Sequence, residues 1–123
     1  MLSVNEAIEQ LEDLASTNVE IYGVLSLEFE GTCLIHIPKN EHRPDELRES
    51  AIGNCLMYGS SIWVEFRLKK RGGPREGVSS LDGQHIVARG RLKGPEARLG
   101  GCGHFSMWPA ELMITNIKHY RGL

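Results

Sequence analysis

The chain has 123 residues, of which 41% are hydrophobic and 24% are charged, with three cysteines and a formal net charge of −2. These values are typical of one folded domain and exclude wholesale disorder. No apolar run approaches the roughly 18 residues of a membrane-spanning helix, and Met1–Asn5 carries no basic residue ahead of an apolar stretch. We therefore expect no membrane contact and no secretory signal. The odd cysteine count then indicates free thiols in a reducing cytoplasm.

Charge is spread unevenly along the chain. Residues 1–31 hold seven acids and no Lys or Arg, whereas residues 62–93 hold eight bases against three acids. Residues 32–61 sum to −1 and residues 94–123 to +1. Such asymmetry indicates either a surface for an anionic partner or two segments that face each other as cross-strand ion pairs.

A helix is predicted over residues 3–16. Ser3 followed by Glu6 forms a capping box at its start. Apolar side chains at helical spacing share one face: Val4, Ala7, Ile8, Leu11, Leu14 and Ala15. We expect this helix to pack on the domain, with a partner-binding helix as the alternative.

Two strands follow the helix. From Val19 the apolar residues alternate with others, which predicts a long half-buried strand with a bend or bulge at Gly23. A turn signal at residues 30–32 precedes a second strand over residues 33–37, and Pro38 ends it.

Residues 38–60 form a long polar connection. Residues 44–48 within it predict one short helical segment, with Asp45 near its start. An insertion of this length usually carries function or is mobile.

Alternation returns in the second half of the chain. It predicts a third strand over residues 62–68 and a fourth over residues 86–93. Only one turn is expected over residues 78–84. The last strand spans residues 105–120 and is broken near Pro109.

One helix and five strands suit a small Greek-key barrel of the mainly β class. Three segments resemble the first, fourth and fifth strands of OB-fold domains in replication protein A, telomere-capping proteins and tRNA anticodon-binding modules: residues 19–25, 86–92 and 110–117. The likeness covers residues 19–120 of a single domain, 1–123, to which the N-terminal helix is an addition. It departs from the usual plan in the near absence of a helix between strands three and four and in the long connection after strand two. Another small β-barrel or an open α+β sheet is the alternative fold.

The resemblance implies a binding surface. OB domains bind single-stranded nucleic acid on the outer face of strands two and three, with basic groups for phosphates and aromatic planes for bases. On this chain the resemblance places there His36, Trp63, Arg67 and Lys69, with Lys70 and Arg71 extending the basic run and with Arg98, His104 and Trp108 on the loop side.

Two features of this surface have alternative interpretations. Trp63 and Trp108 serve as stacking platforms if they are exposed, and belong to the core if they are packed. Arg89, Arg91 and Lys93 form a second basic stripe, but an OB-like barrel puts their strand beside the first one. There the acids Glu20, Glu28 and Glu30 are expected to neutralise them.

No metal and no cofactor are expected. Cys33, His36, Cys102 and His104 are the ligand types of a structural zinc site. However, residues three apart on a strand point to opposite faces, so Cys33 and His36 cannot reach one metal without a bulge.

No enzyme is expected either. His36 and His104 near Glu28 form a possible acid/base pair. The sequence nevertheless lacks a nucleophile motif, a phosphate loop and a dinucleotide fingerprint. The sequence thus favours a non-enzymatic module that binds single-stranded nucleic acid. The alternative is a protein-interaction domain, of the inhibitor or immunity type, that uses the acidic helix or the 38–60 loop.

Overall fold

Strands dominate the described part of the chain. The computed structural model describes residues 1–28, 31–50, 53–68, 78–95, 101–103 and 107–121, without the side chains of residues 48, 50 and 53–55. The helices are α1 (Val4–Glu9) and α2 (Leu11–Leu14), and the strands are β1 (Leu2–Ser3), β2 (Asn18–Ser26), β3 (Cys33–Ile35), β4 (Glu46–Ser50), β5 (Gly53–Met57), β6 (Ser61–Phe66), β7 (His85–Lys93) and β8 (Glu111–His119).

Five of these strands close into a barrel. Their order is β2-β3-β6-β8-β7, and β7 pairs back onto β2. The β6–β8 pair is parallel and the other four pairs are antiparallel. This confirms the predicted mainly β barrel of five strands with an added N-terminal helix, and it is compatible with an OB-like fold.

The alternation along each strand sorts side chains between the barrel core and its outer surface. Ile21, Leu34, Ile62, Leu92 and Leu112 are fully buried and belong to one apolar cluster. The residues between them face outward, as the period of two requires. Therefore the register of each pair also tells which outward side chains are neighbours.

The N-terminal helix covers one side of this core. Ser3 caps α1 and the reciprocal bond from Glu6 completes the predicted capping box. Val4 and Ala7 are fully buried. The predicted single helix is interrupted at Gln10, where α1 ends and α2 begins. No helix of the described residues is long and apolar enough to cross a membrane.

Gly23 marks the place where β2 changes neighbours. Before it, Ile21 and Tyr22 pair with β1, and after it Val24 pairs with Ile35 of β3. A Cβ at Gly23 would lie 2.6 Å from the carbonyl oxygen of Ile35. The glycine thus permits a close backbone approach, while the register of β2 against β7 is continuous through Gly23, without a bulge.

The prediction of a helical segment over residues 44–48 is wrong. Glu46–Ser50 pairs with Gly53–Met57 in an antiparallel hairpin, and the helical turn of this connection lies earlier, as a 3₁₀ turn over Lys39–Glu41. Pro44 and Asp45 fit the entry to a strand as well as the entry to a helix. The pairing with β5, which local propensity does not show, decides between the two.

Candidate nucleic-acid interface

The outer face of β3 and β6 is partly covered. Cys33 and Trp63 are register partners, and both point away from the core residues Leu34 and Ile62. Cys102 and Trp108, from the connection between β7 and β8, bridge to each other and pack on this face in a second apolar cluster. Trp108 is only 4% exposed. It therefore belongs to a packed cluster and offers no open platform for a base.

Trp63 is only partly covered by its neighbours. Its ring lies 4.8 Å from that of Trp108, and Gly103 lies against it from the loop side. Its indole Nε1 donates a hydrogen bond of 2.8 Å to Glu65. The side chain is half-buried. Trp63 is thus held in one orientation, and part of the residue remains exposed.

His36 does not share the face of Trp63. Its side chain is 2% exposed, and its Nδ1 accepts a hydrogen bond of 3.1 Å from the backbone N–H of Asn5. That bond leaves the proton on Nε2, which donates to Glu41. The ring therefore points toward α1, and its contacts are structural ones with Asn5 and Glu41 rather than with Glu28.

The same buried region joins three segments of the chain. The Asn5 amide donates to the carbonyl oxygen of Glu41 at 2.9 Å and accepts from the Ser60 hydroxyl at 2.7 Å. The Ser60 oxygen also accepts from the backbone N–H of Arg43. These bonds fix α1 to the segments that precede β4 and β6, and none of them reaches the surface where Trp63 lies.

The remaining predicted site residues divide into two groups. Arg67 is exposed and follows Trp63 and Glu65 on the outward phase of β6. Five lie outside the described residues: Lys69, Lys70, Arg71, Arg98 and His104.

The acids of the first strand neutralise the basic stripe on β7 only in part. Arg89 does pair with Glu20, at 2.9 Å between Nη2 and Oε2. Arg91, however, lies opposite Asn18 of β2 and Met113 of β8. Glu28 follows the other end of β2, beyond the partner of His85, so it cannot reach Arg91.

The outward rows of β6, β8 and β7 form one continuous surface. Glu111 lies between Trp63 and Lys93 in register, and Met113 lies between Glu65 and Arg91. Burial raises the pKa of the Glu111 carboxyl, and neighbouring Lys93 acts in the opposite direction. This surface, here called the β6–β8–β7 face, holds an aromatic ring and exposed cations together. The sequence indicated its parts through Trp63 and Arg67 and through the alternation of charged with apolar or small residues over residues 89–93.

Cys33 and Cys102 both belong to the packed cluster on the outer face of β3 and β6. Cys33 packs against the outer-face cluster while His36 points toward α1, as their spacing predicts. Among the described residues no group of three or more His, Cys, Asp or Glu is placed to hold a metal ion. Burial raises the pKa of the Cys33 thiol to about 11. A thiol of this kind is a poor nucleophile at neutral pH.

A cleft lies between α1 and the β4–β5 hairpin. This cleft has a volume of about 260 Å³, and Ile8, Met57, Tyr58 and Pro109 contribute to its lining. Arg43, also in the lining, forms an ion pair with Glu9. The cleft is separate from the β6–β8–β7 face.

Comparison with known protein families gives no match, and neither does comparison with curated protein sequences.

Proposed function

We propose that the protein is a non-enzymatic binding module of the OB type whose ligand is single-stranded nucleic acid. The β6–β8–β7 face is the proposed binding surface. The observation that carries the proposal is the half-buried side chain of Trp63 on the same outward sheet surface as Arg91 and Lys93. An aromatic plane beside exposed cations is the combination that single strands need.

The strand order supports the assignment to the OB type. Numbering the five barrel strands by their sequence order gives 1-2-3-5-4, closed by a pairing of the fourth with the first. OB folds are partly open five-stranded Greek-key barrels that bind oligonucleotides and oligosaccharides. Since one fold hosts many functions, this supports a binding module, and the ligand has to be argued from the surface.

The charge of the second half of the chain favours an anionic ligand. Residues 62–123 hold eleven bases and five acids. Arg91 is exposed and no ion pair involves it among the described residues, whereas Arg89 is held by Glu20. Arg91 and Lys93 are therefore the proposed phosphate contacts, and Arg67 extends the cationic surface along β6.

The proposed site is small because other side chains cover part of the outer face of β3 and β6. Trp108 and Cys102 occupy the outer surface beside Cys33, so only Trp63 is left to stack on a base. Stacking contributes about 1–3 kcal/mol per base. With one ring and a few phosphate contacts, we expect binding in the micromolar range at low salt.

The test is a titration of a fluorescein-labelled oligothymidine with the full chain, followed by anisotropy and by tryptophan emission. We expect an anisotropy rise at ~50 mM salt, with quenching of the Trp63 emission. Trp63→Phe should remove the quenching, and Trp108→Phe should retain it because Trp108 is buried. A flat anisotropy curve at low salt would overturn the proposed function.

A further inference from the structure

Two leucines lie side by side on the outward face of the β4–β5 hairpin. Leu47 and Leu56 are register partners in an antiparallel pair, so their side chains leave the same face. Leu47 is 76% exposed and Leu56 is 37% exposed. Apart from Met1, no other large hydrophobic residue of the described chain is exposed. Covering both side chains would remove apolar surface from water, so the pair offers an apolar contact to a partner.

The opposite face of the hairpin is turned toward the protein. Glu46 and Met57 form the adjacent register pair and both line the cleft beneath α1. Met57 is 3% exposed. One face of the hairpin thus lines the cleft, and the two leucines on the other face are exposed to solvent. Within the described residues β4 and β5 pair only with each other, so their outer edges are open to a further strand.

The half of the chain that contains the hairpin is acidic. Residues 1–61, which include the hairpin, hold eleven acids and three bases. Glu49 is exposed and follows Leu47 on the same outward phase of β4. Arg43, one of the three bases, is already paired with Glu9. The charge of this half therefore selects a basic partner and repels nucleic acid.

We infer that the outward face of the hairpin docks a basic polypeptide segment of another protein. The segment lies extended along the hairpin, with apolar side chains over Leu47 and Leu56 and with Lys or Arg facing Glu49. Leu47 and Glu49 share one face of β4, and on an extended chain every second side chain shares a face, so the apolar and basic residues of the segment stand two positions apart. This site is independent of the β6–β8–β7 face.

The probe is a labelled short peptide that repeats Leu-Ser-Lys-Ser, so that leucine and lysine share one face of the extended chain, and it is titrated against the full chain. Two comparison peptides replace leucine by serine or lysine by glutamate. We expect the first peptide to bind most tightly and the glutamate peptide not to bind. The double variant Leu47→Ser with Leu56→Ser should weaken the first peptide by roughly tenfold, because two apolar contacts are lost.

Two further variants test the charge contact separately from the leucines and supply a control. Glu49→Lys leaves the leucines in place and should also weaken the lysine–leucine peptide, while Asn116→Ser, an exposed position on β8, should not change its affinity. Oligothymidine binding by the leucine variant should match the wild type, so the two proposals fail separately. Equal affinity for the leucine and serine peptides would overturn the inference. So would a dimer in sedimentation equilibrium that the leucine variant abolishes, since a second copy would then cover the face.

Discussion

The backbone of Gly103 lies against the indole ring of Trp63. A Cβ at this position would overlap the ring, with Cγ of Trp63 only 2.6 Å away. Gly103 also has a φ of +76°, which side-chain-bearing residues rarely adopt. This contact places residues 101–103 on the outer surface of β6, where they cover part of Trp63.

Replacing Gly103 with alanine should therefore loosen the covering loop. We expect a loss of about 1–3 kcal/mol from overpacking and backbone strain, together with a red shift of tryptophan emission as Trp63 gains solvent. Thermal unfolding and emission spectra measure the two effects. Gly83→Ala is the control: Gly83 has the same φ of +76° but no atom within 4 Å of a Cβ. Equal losses in both variants would show that strain alone acts and that the ring contact contributes nothing.

The buried amide of Asn5 should be important for stability. Asn5→Ala removes the partner of the buried Ser60 hydroxyl and of the partly buried Glu41 carbonyl. Unsatisfied buried groups cost about 1–3 kcal/mol, which urea unfolding measures. Asn116→Ala, at an exposed position, should stay within about 0.5 kcal/mol of the wild type. An Asn5→Ala protein as stable as this control would contradict the role of the network.

Several features of the fold can be predicted from short stretches of the sequence. The capping box of Ser3 and Glu6, the alternation along β2, β6 and β7, and the Asp82-Gly83 turn are local signals, and the structure confirms each of them. The barrel follows because five half-buried strands must bury their apolar faces together.

The site was harder to predict because its residues meet only through long-range packing. Nothing near Trp108 in the sequence shows that Cys102 pairs with it or that both pack over Cys33. Likewise, His36 turns toward α1 because of a bond to Asn5, 31 residues away. The resemblance to OB domains could not distinguish these packed side chains from exposed ones.

Glu111 should make stability depend on pH. Its pKa is raised by burial, so the charged carboxylate disfavours the folded state at neutral pH, and that penalty disappears as the group is protonated. We therefore expect Glu111→Gln to raise the melting temperature at pH 7, offset in part by the loss of attraction to Lys93. The gain should vanish below pH ~4. Melts of both proteins at the two pH values test this, with Glu49→Gln on the exposed hairpin as the control. A gain that persists in acid would contradict the titration argument.

Cys33 should resist alkylation. With a pKa of about 11, its thiolate fraction at pH 8 is on the order of one in a thousand, and its side chain is 7% exposed. Iodoacetamide labelling followed by peptide mass spectrometry should show slow modification of Cys33 in the native protein and fast modification in urea. Rapid native labelling would mean that the cluster under Trp108 opens readily.

The most direct test of the central claim is the salt dependence of oligothymidine binding. Each lost phosphate contact lowers the log–log slope by about 0.7 on single strands, so Arg91→Ala with Lys93→Ala should reduce its magnitude by roughly 1.4. Lys39→Ala, which removes a cation from the acidic half of the chain, should leave the slope unchanged. This account predicts a weaker and less salt-dependent double variant beside an unaltered control. A double variant with the wild-type slope and affinity would contradict it.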